Sequence, residues 1–448
     1  MQIIDGDEFS SWRENLSGKS SDAEVSAAVE KIIAAVQTEG DKAVRRFAAQ
    51  FDKSSPEQFE LNADAARTAW DSLVKSDPGL ANALKLAADH IARFSKEQKA
   101  QFKNFEFEIE PGIFTGQRII PVQKAAIYAP GGRFPLISSV LMGIIPALTA
   151  GVEEVILTSP PLEDGLPDRR ILAAAHIAAQ GSAQGTAPKG LRIFALGGAQ
   201  AIAALALGTE TVPRVDVIAG PGNKYVAAAK RLLFGRVGID FIAGPTDVLI
   251  IADGNCAGDS AGSAAKAADI IAADMLAQAE HDPDARARAL VNSRELAELV
   301  AAAVEKRLAN LPTAETARAS LARGGLIIIY KNKAEAVRIA NTIAPEHLEL
   351  QTASAEDWIG ELKNYGSLFI GNEAAEVLGD YSAGINHTLP TNASARFTGG
   401  LGVRHFLKTV TTLRCVPGAA YKTALDAAEK IALAEGLAAH AESARSRS

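Results

Sequence analysis

The spacing of apolar residues changes along the chain and predicts two kinds of structure. In residues 22–51 apolar residues recur every three or four positions, as at Val25, Val29 and Ile32, and residues 56–101 continue this pattern. Such spacing places apolar side chains on one face of a helix. The pattern therefore predicts that most of the chain before residue 101 is helical.

From about residue 118 onward, short apolar runs end in turns rich in glycine or proline, and an apolar or alanine-rich stretch follows. Strand, turn and helix in repetition are typical of parallel βαβ units, whose ligand sites lie at strand ends. The chain is therefore predicted to be an α/β protein with two Rossmann-like domains, parallel sheets, and N- and C-terminal helical extensions. The predicted strands are 124–128, 154–158, 191–196, 248–252, 326–330 and 368–370, and the later helices are 262–280, 293–310, 333–343 and 417–448.

One uncharged run has nearly the length of a membrane span. Residues 134–152 carry no charge over nineteen positions, but Pro135, Pro146 and two glycines favour a helix buried in an α/β fold. Residues 1–7 are acidic and lack the basic-then-apolar plan of a signal peptide. We therefore expect a cytoplasmic protein without membrane contact, and a surface loop over residues 180–190.

Composition narrows the possible chemistry. The 448 residues include 46 Lys and Arg against 53 Asp and Glu. This balance leaves no basic surplus for a nucleic-acid backbone, so no nucleic-acid partner is expected. Cys256 and Cys415 are the two cysteines, too few for a disulfide framework or a thiolate zinc site. Only seven histidines occur, so their positions are informative.

The usual nucleotide-binding motifs are absent: no Gly-x-Gly-x-x-Gly follows a predicted strand, and no Gly-x-x-x-x-Gly-Lys-Ser/Thr loop is present. Two other turns open predicted helices, Gly197-Gly198-Ala199-Gln200 and Gly220-Pro221-Gly222-Asn223. Free backbone amides at a helix N-terminus attract phosphates. The turns are therefore compatible with a pyrophosphate-containing cofactor, although from these residues alone ordinary βα connections are the more common interpretation.

Two histidines lie on predicted helices near possible partners. Gln278 and His281 are three residues apart and can point to one place. They could form half of a metal site or a solvated helix end. His440 lies in the predicted tail helix, five residues after Glu435. Alone it is more typical of a solvated residue than of a ligand.

Glu346 and His347 follow Pro345, where a short helix or turn is predicted to begin. A neighbouring carboxylate and imidazole can supply a base and an acid. Alternatively, the glutamate opposes a helix dipole and the histidine only pairs with it. Asp380 is followed by His387, both in a predicted loop.

Seven motifs in series resemble the histidinol dehydrogenase family, and the resemblance covers about residues 25 to 440. The motifs are Tyr128-Ala129-Pro130-Gly131-Gly132-Arg133, Gly197-Gly198-Ala199-Gln200-Ala201-Ile202-Ala203-Ala204-Leu205, Gly220-Pro221-Gly222-Asn223, Ala243-Gly244-Pro245, Gln278-Ala279-Glu280-His281, Ala344-Pro345-Glu346-His347-Leu348 and Gly379-Asp380-Tyr381. The resemblance implies an enzyme that uses Zn²⁺ and two NAD⁺ to oxidise a primary alcohol to an aldehyde and then to a carboxylate. It also implies an interlocked homodimer whose subunits share site residues.

The expected domains are 1–24 as an N-terminal helical extension, 25–127 with 246–400 as a larger discontinuous domain, 128–245 as an inserted NAD-binding domain, and 401–448 as a helical tail. By resemblance, the zinc ligands are Gln278, His281, Asp380 and His440. The NAD contacts are Tyr128, Gln200 and Asn223. The substrate contacts are Thr246, Gln278, His281, His347, Asp380, His387, Glu435 and His440.

The resemblance also assigns catalytic roles. His347 accepts the alcohol proton as hydride leaves, and Glu346 activates the water that hydrates the aldehyde. The remaining histidines, at positions 90, 176 and 405, match no functional position and are expected to be structural.

Three departures from the family pattern affect the substrate. Thr246 stands where the family usually has Ser, Asp247 where it usually has Glu, and Phe134 where a small residue is usual. A methyl group in the pocket changes discrimination by about 1–3 kcal/mol. Residues 235–240 and 395–401 look more like paralogues such as sulfopropanediol dehydrogenases. L-Histidinol is the substrate predicted first, with 2,3-dihydroxypropane-1-sulfonate as the alternative and a catalytically silent binding protein as a third possibility.

Overall fold

The computed structural model describes residues 1–15, 22–62, 64–131, 135–181, 190–255 and 263–447. Most of the predicted surface loop at 180–190, together with Gly132, Arg133, Phe134 and Cys256, lies outside these ranges.

The strands are β1 (Gln2–Asp5), β2 (Phe105–Glu110), β3 (Ile113–Pro121), β4 (Lys124–Tyr128), β5 (Glu154–Ser159), β6 (Leu191–Ala195), β7 (Val217–Ala219), β8 (Gly238–Ile239), β9 (Asp247–Ala252), β10 (Arg286–Val291), β11 (Leu326–Ile329), β12 (His347–Gln351), β13 (Ser367–Ile370) and β14 (Leu407–Cys415).

The α-helices are α1 (Phe9–Asn15), α2 (Asp22–Glu39), α3 (Asp41–Phe51), α4 (Ala65–Ser76), α5 (Pro78–Ala100), α6 (Ile137–Ala150), α7 (Arg169–Gly181), α8 (Gly198–Leu207), α9 (Lys224–Leu233), α10 (Ser263–Ala279), α11 (Arg294–Leu308), α12 (Ala314–Gly324), α13 (Lys333–Ile343), α14 (Glu356–Ile359), α15 (Glu376–Tyr381), α16 (Ala419–Ala434) and α17 (Ala438–Arg445). Short 3₁₀ helices cover Gly6–Glu8, Ser394–Arg396 and Val403–Phe406.

Two parallel sheets organise the chain, as the repeated strand, turn and helix pattern predicts. A six-stranded sheet has the order β1-β11-β10-β9-β12-β13, and a five-stranded sheet has the order β6-β5-β4-β7-β8. Every pairing within these two sheets is parallel. Helices cover both faces of each sheet, which buries the strands and explains their continuous apolar sequences.

The central strand of the five-stranded sheet shows how the two faces are filled. Ala125 and Ile127 point to a core shared with α4, α5, α6 and α7, whereas Ala126 and Tyr128 point to a core shared with α2, α3, α8 and α9. The uncharged run forms α6, and Gly143 of that helix leaves no room for a Cβ beside Ile127. Among the described residues, no helix is long and apolar enough to cross a membrane.

The domain limits differ from the prediction in three places. Gln2–Asp5, expected in a helical extension, form a strand that pairs with β11. The helices of residues 22–100 pack on the five-stranded sheet rather than on the larger one, and a limit at 127 would divide β4. The predicted helical tail contains β14, which pairs antiparallel with β3, and β3 pairs with β2 in a third sheet.

Candidate active site

The amino ends of two adjacent parallel strands bring the predicted catalytic pair next to Thr246. Glu346 immediately precedes β12, and His347 is its first residue. His347 lies opposite Val248 of β9, so Thr246 and Asp247 lie beside Glu346. The predicted helix or turn at this point is therefore a strand. The chemistry gathers at the amino edge of the six-stranded sheet, whereas parallel sheets more often bind ligands at the carboxyl edge.

Glu346 is held in a fixed orientation by β9. Its Oε2 accepts hydrogen bonds from the Thr246 hydroxyl and from the Asp247 amide, the latter at 3.1 Å. Its own amide donates to Asp247 Oδ1 at 3.1 Å. Burial raises the pKa of Glu346 to about 7, against the opposing influence of His347. A carboxyl with this pKa can hold or release a proton near neutral pH.

His347 is 2% exposed and faces two carboxylates. Its Nδ1 is 3.4 Å from Glu376 Oε1, and its Nε2 is 3.6 Å from Asp380 Oδ1. Within the described ranges, neither ring nitrogen has a hydrogen-bond partner, and Asp380 Oδ1 has none. Burial alone would lower the pKa of His347, but the neighbouring carboxylates outweigh it and raise the pKa well above its usual value.

Helix α15 supplies both of these carboxylates. Glu376 and Asp380 are four residues apart and therefore lie on one face of a helix. This corrects the predicted loop around Asp380. Glu376 is a site residue that the sequence interpretation missed. Burial raises the pKa of Glu376 to about 8. Burial would also raise the pKa of Asp380, but the nearby His347, His387 and His281 outweigh it and lower this pKa.

Gln278 and Asp380 lie at this site, and His281 lies within electrostatic reach of Asp380. Gln278 is fully buried at the end of α10, and its carboxamide contacts the Thr246 hydroxyl and the Glu376 carboxylate. His281 lies in the turn just after α10 and is exposed, with its charge acting on Asp380. His347, Glu376 and Asp380 offer ligand atoms within 4.8 Å of one another. These nitrogen and oxygen donors are of the kind that Zn²⁺ accepts.

The predicted NAD contacts lie at the carboxyl edge of the five-stranded sheet. Tyr128 ends β4, Gln200 lies in the first turn of α8, and Asn223 precedes α9. The chain order reverses between β4 and β7, since β5 and β6 lie on one side of β4 and β7 and β8 on the other. Such a reversal is where open α/β sheets bind cofactors.

The amides of these two helix starts already have partners. Gly198 N donates to Tyr128 Oη at 3.1 Å, and Gly197 N donates to Asp52 Oδ2 at 3.4 Å. Asn223 Oδ1 accepts from the amides of residues 225 and 226, at 3.0 and 3.1 Å. The hypothesis of free amides is therefore wrong at these positions. Asp52, which the sequence interpretation missed, also accepts from Gln200 Nε2 at 3.2 Å.

Comparison with known proteins identifies the family. A family model described as histidinol dehydrogenase matches residues 16–448. The chain belongs to the histidinol dehydrogenase family. It is 43% identical over 427 residues to the histidinol dehydrogenase of Thermus thermophilus, a match covering 95% of each chain. It is 40% identical over 423 residues to a histidinol dehydrogenase homolog of Shouchella clausii, covering 94% of each.

Solved structures agree with this assignment. The crystal structure of the histidinol dehydrogenase from Elizabethkingia anophelis matches with a TM-score of 0.85 and 32% identity, covering 100% of this chain and 97% of that one. The predicted family and α/β fold are thus confirmed, and this member of the histidinol dehydrogenase family is an enzyme, a dehydrogenase.

Two of the predicted site residues, Glu435 and His440, lie in the C-terminal helical pair. Glu435 follows α16 and His440 lies in α17, and both side chains are exposed. Within the part of the chain that the structure describes, α16 and α17 pack against each other, and no hydrogen bond or ion pair joins Glu435 or His440 to the residues around His347. Among the described residues, the single subunit thus shows no bond between these two residues and the site.

His387 connects the site to the smaller sheet. Its Nε2 is 3.0 Å from Ser139 Oγ in α6, and its amide donates to Met142 Sδ at 3.2 Å. Burial lowers the pKa of His387, although the charge of Asp380 acts in the opposite direction. His387 thus lies where the helices of the five-stranded sheet approach the amino edge of the six-stranded sheet.

Proposed function

We propose that the chain is a zinc-dependent, NAD⁺-dependent dehydrogenase that oxidises L-histidinol through its aldehyde to L-histidine, in histidine biosynthesis. The observation that carries the proposal is the buried Glu346 and His347 pair at one strand start. The two groups have separate partners, Thr246 with Asp247 for the carboxyl and Glu376 with Asp380 for the imidazole. Separate surroundings suit two separate proton transfers.

In the first oxidation the neutral imidazole of His347 accepts the proton of the alcohol as hydride leaves for NAD⁺. A cation bound beside Asp380 would offset the carboxylate charge that raises the pKa of His347, and would so favour the neutral ring. Glu376 and Asp380, which flank the two ring nitrogens, stabilise the imidazolium that forms. In the second oxidation Glu346 takes a proton from the water that adds to the aldehyde. With a pKa of about 7, part of Glu346 is ionised at neutral pH and can accept a proton. The hydrogen bonds from Thr246 and Asp247 fix the orientation of its carboxylate.

A zinc ion would be held by Gln278, His281, Asp380 and His440. The buried Asp380 oxygen without a partner among the described residues supports a cation there. When bound, Zn²⁺ supplies positive charge that orients a polar substrate and offsets the Asp380 carboxylate. Gln278 contacts Thr246, and Asp380 lies 3.6 Å from His347, so two of the proposed ligands lie beside the proposed substrate-binding and catalytic groups.

The proposal requires a homodimer in which a second copy contributes His440 and Glu435. Helices α16 and α17 and the connection between them expose apolar side chains, including Ile431, Leu433 and Leu437. A short helical pair has little apolar core of its own and gains burial by packing on another surface. The second copy is therefore the partner expected for these helices.

The alternative substrate is 2,3-dihydroxypropane-1-sulfonate. Two observations favour retaining it: Thr246 stands where the family usually has Ser, and the Shouchella clausii relative is described only as a histidinol dehydrogenase homolog. Because the family makes the chain an enzyme, the catalytically silent alternative is not carried further. The test is zinc-loaded protein with NAD⁺ and a panel of primary alcohols, with NADH absorbance as readout and His347→Asn as control. Turnover with L-histidinol supports the proposal. Turnover with the sulfonated diol alone overturns the substrate assignment.

A further inference from the structure

A buried ion pair lies directly beneath the turn that carries Asn223. The side chain of Lys230, in α9, is 2% exposed, and that of Asp240, just after β8, is fully buried. Lysine is almost never buried without a partner. The pair therefore needs a reason to lie inside the fold.

Both charged groups bind the backbone of one glycine. Asp240 Oδ2 accepts from Gly220 N at 2.8 Å, and Lys230 Nζ donates to Gly220 O at 3.0 Å and to Asp240 Oδ1. The N–H and C=O groups of Gly220 are thus both bonded to this ion pair. Two charge-assisted hydrogen bonds on one residue fix its orientation more firmly than neutral bonds do.

Gly220 packs closely against the end of β4. Its φ of +111° lies in the region that favours glycine, and a Cβ there would overlap the carbonyl oxygen of Tyr128. Gly220 directly follows β7 and lies against Tyr128 at the end of β4, so it stands between the two strands where the chain order reverses. Three residues later, Asn223 caps α9. A small shift of Gly220 would move Asn223 relative to Tyr128.

We propose that Lys230 and Asp240 are positioning residues for the cofactor, because they hold the turn of residues 220–223 in the shape that binds NAD⁺. The inference rests on the proposed function, since it takes this edge as the dinucleotide site. A buried ion pair loses much of its attraction to desolvation and is a poor source of stability. Its use here is the fixed direction of the Gly220 peptide groups.

The experiment compares the parent with Lys230→Met, Asp240→Asn and the double variant, each as zinc-loaded full-length protein. Each single variant leaves one buried group without its charged partner, so its Tm is expected to fall. The double variant leaves no buried charge, and its Tm is expected to recover towards that of the parent. It still lacks the bond to Gly220 O, so its Kd for NAD⁺, measured by calorimetry, is expected to rise about tenfold.

Arg192→Met is the matched control. Arg192 forms ion pairs with Glu60 and Glu154 on the same five-stranded sheet, close to the amino ends of its strands. Its loss is expected to lower the Tm without changing the Kd for NAD⁺. For the double variant, kcat at saturating NAD⁺ is expected to stay within about twofold of the parent, because the bond lost orients the cofactor turn rather than the reacting groups.

A double variant with parental Tm and parental Kd for NAD⁺ would overturn the positioning role. A double variant that does not fold leaves Lys230→Met to decide, since that variant lacks the same bond to Gly220 O and must also show weaker NAD⁺ binding. Failure of the parent itself to bind NAD⁺ would overturn the proposed function, and this result is distinct from a parent that binds and variants that bind equally well.

Discussion

Replacing Asp52 with asparagine is expected to stabilise the protein at neutral and alkaline pH and to change little in acid. Asp52 follows α3, and its Oδ2 accepts from both Gly197 N and Gln200 Nε2. Because one oxygen accepts both bonds, an asparagine Oδ1 can replace it. The substitution therefore removes a charge and keeps the contacts at the start of α8.

The magnitude follows from the pKa of Asp52. Burial raises this pKa from 3.8 to about 6, although both hydrogen bonds favour the ionised form. A folded-state pKa above the unfolded one means that folding loses stability as the pH rises from about 4 to about 6 and stays at that lower level above. At 1.36 kcal/mol per pKa unit the full cost is about 3 kcal/mol, and remaining solvent contact reduces it to about 1–3 kcal/mol.

Thermal unfolding of parent and Asp52→Asn at pH 4 and pH 8 measures this effect. A gain of 1 kcal/mol raises the Tm of a domain of roughly 150–250 residues by about 2–4 °C. The gain is expected at pH 8 and nearly absent at pH 4. Asp71→Asn, at an exposed position on α4, serves as control and is expected to change the Tm little. An equal gain at both pH values, or a loss at pH 8, would refute the reasoning.

Three further predictions concern the proposed active site. Glu346→Gln is expected to slow aldehyde oxidation by about 10²–10⁴-fold and to leave alcohol oxidation largely intact. His347→Asn is expected to abolish alcohol oxidation. The rate of each step is measured by supplying the alcohol and the aldehyde as separate substrates. His440→Asn, like removal of residues 435–448, is expected to lower the amount of zinc bound per subunit, measured by metal analysis. Mixed dimers of one His440→Asn subunit and one Asp380→Asn subunit are expected to regain activity at one of their two sites, because that site then has both intact residues. Thr246→Val is expected to reduce kcat/KM about tenfold or more, because it removes the hydroxyl that donates to the Glu346 carboxylate and contacts the Gln278 carboxamide.

Each of these has a result that contradicts it. Parental rates for both half-reactions in Glu346→Gln would remove its role in activating water. Unchanged zinc content in His440→Asn would remove His440 from the ligand set, and inactive mixed dimers would contradict a shared site. For Thr246, the serine variant keeps the hydroxyl and serves as control, so a loss as large in Thr246→Ser as in Thr246→Val would contradict the role given to the hydroxyl.

The sequence predicts six of the parallel strands, but it misses β7, β10 and β12, which are also parallel and buried. Strands such as β4 and β5 are continuous apolar runs before a turn, and the structure confirms them. Strand β1 could not be found this way, because Gln2–Asp5 is extended only through its pairing with β11. Strand β2 alternates phenylalanine or isoleucine with glutamate, which is a strand signal, but its pairing with β3 and the distant β14 has no local signature.

The site was predictable where its residues stand in compact motifs and hidden where tertiary structure makes it. Glu346, His347 and Gln278 were found by motif, and the structure brings them together. Glu376 escaped notice because α15 is too short to show helical periodicity. The position of His440 relative to the site cannot follow from one chain, since the proposed site needs a second copy.

The number of NADH molecules formed per molecule of L-histidinol tests the central proposal most directly, that one site carries out both oxidations. With zinc-loaded protein, excess NAD⁺ and limiting alcohol, we predict two NADH per alcohol and L-histidine as the final product. One NADH per alcohol with release of the aldehyde, or no NADH at all, would contradict it.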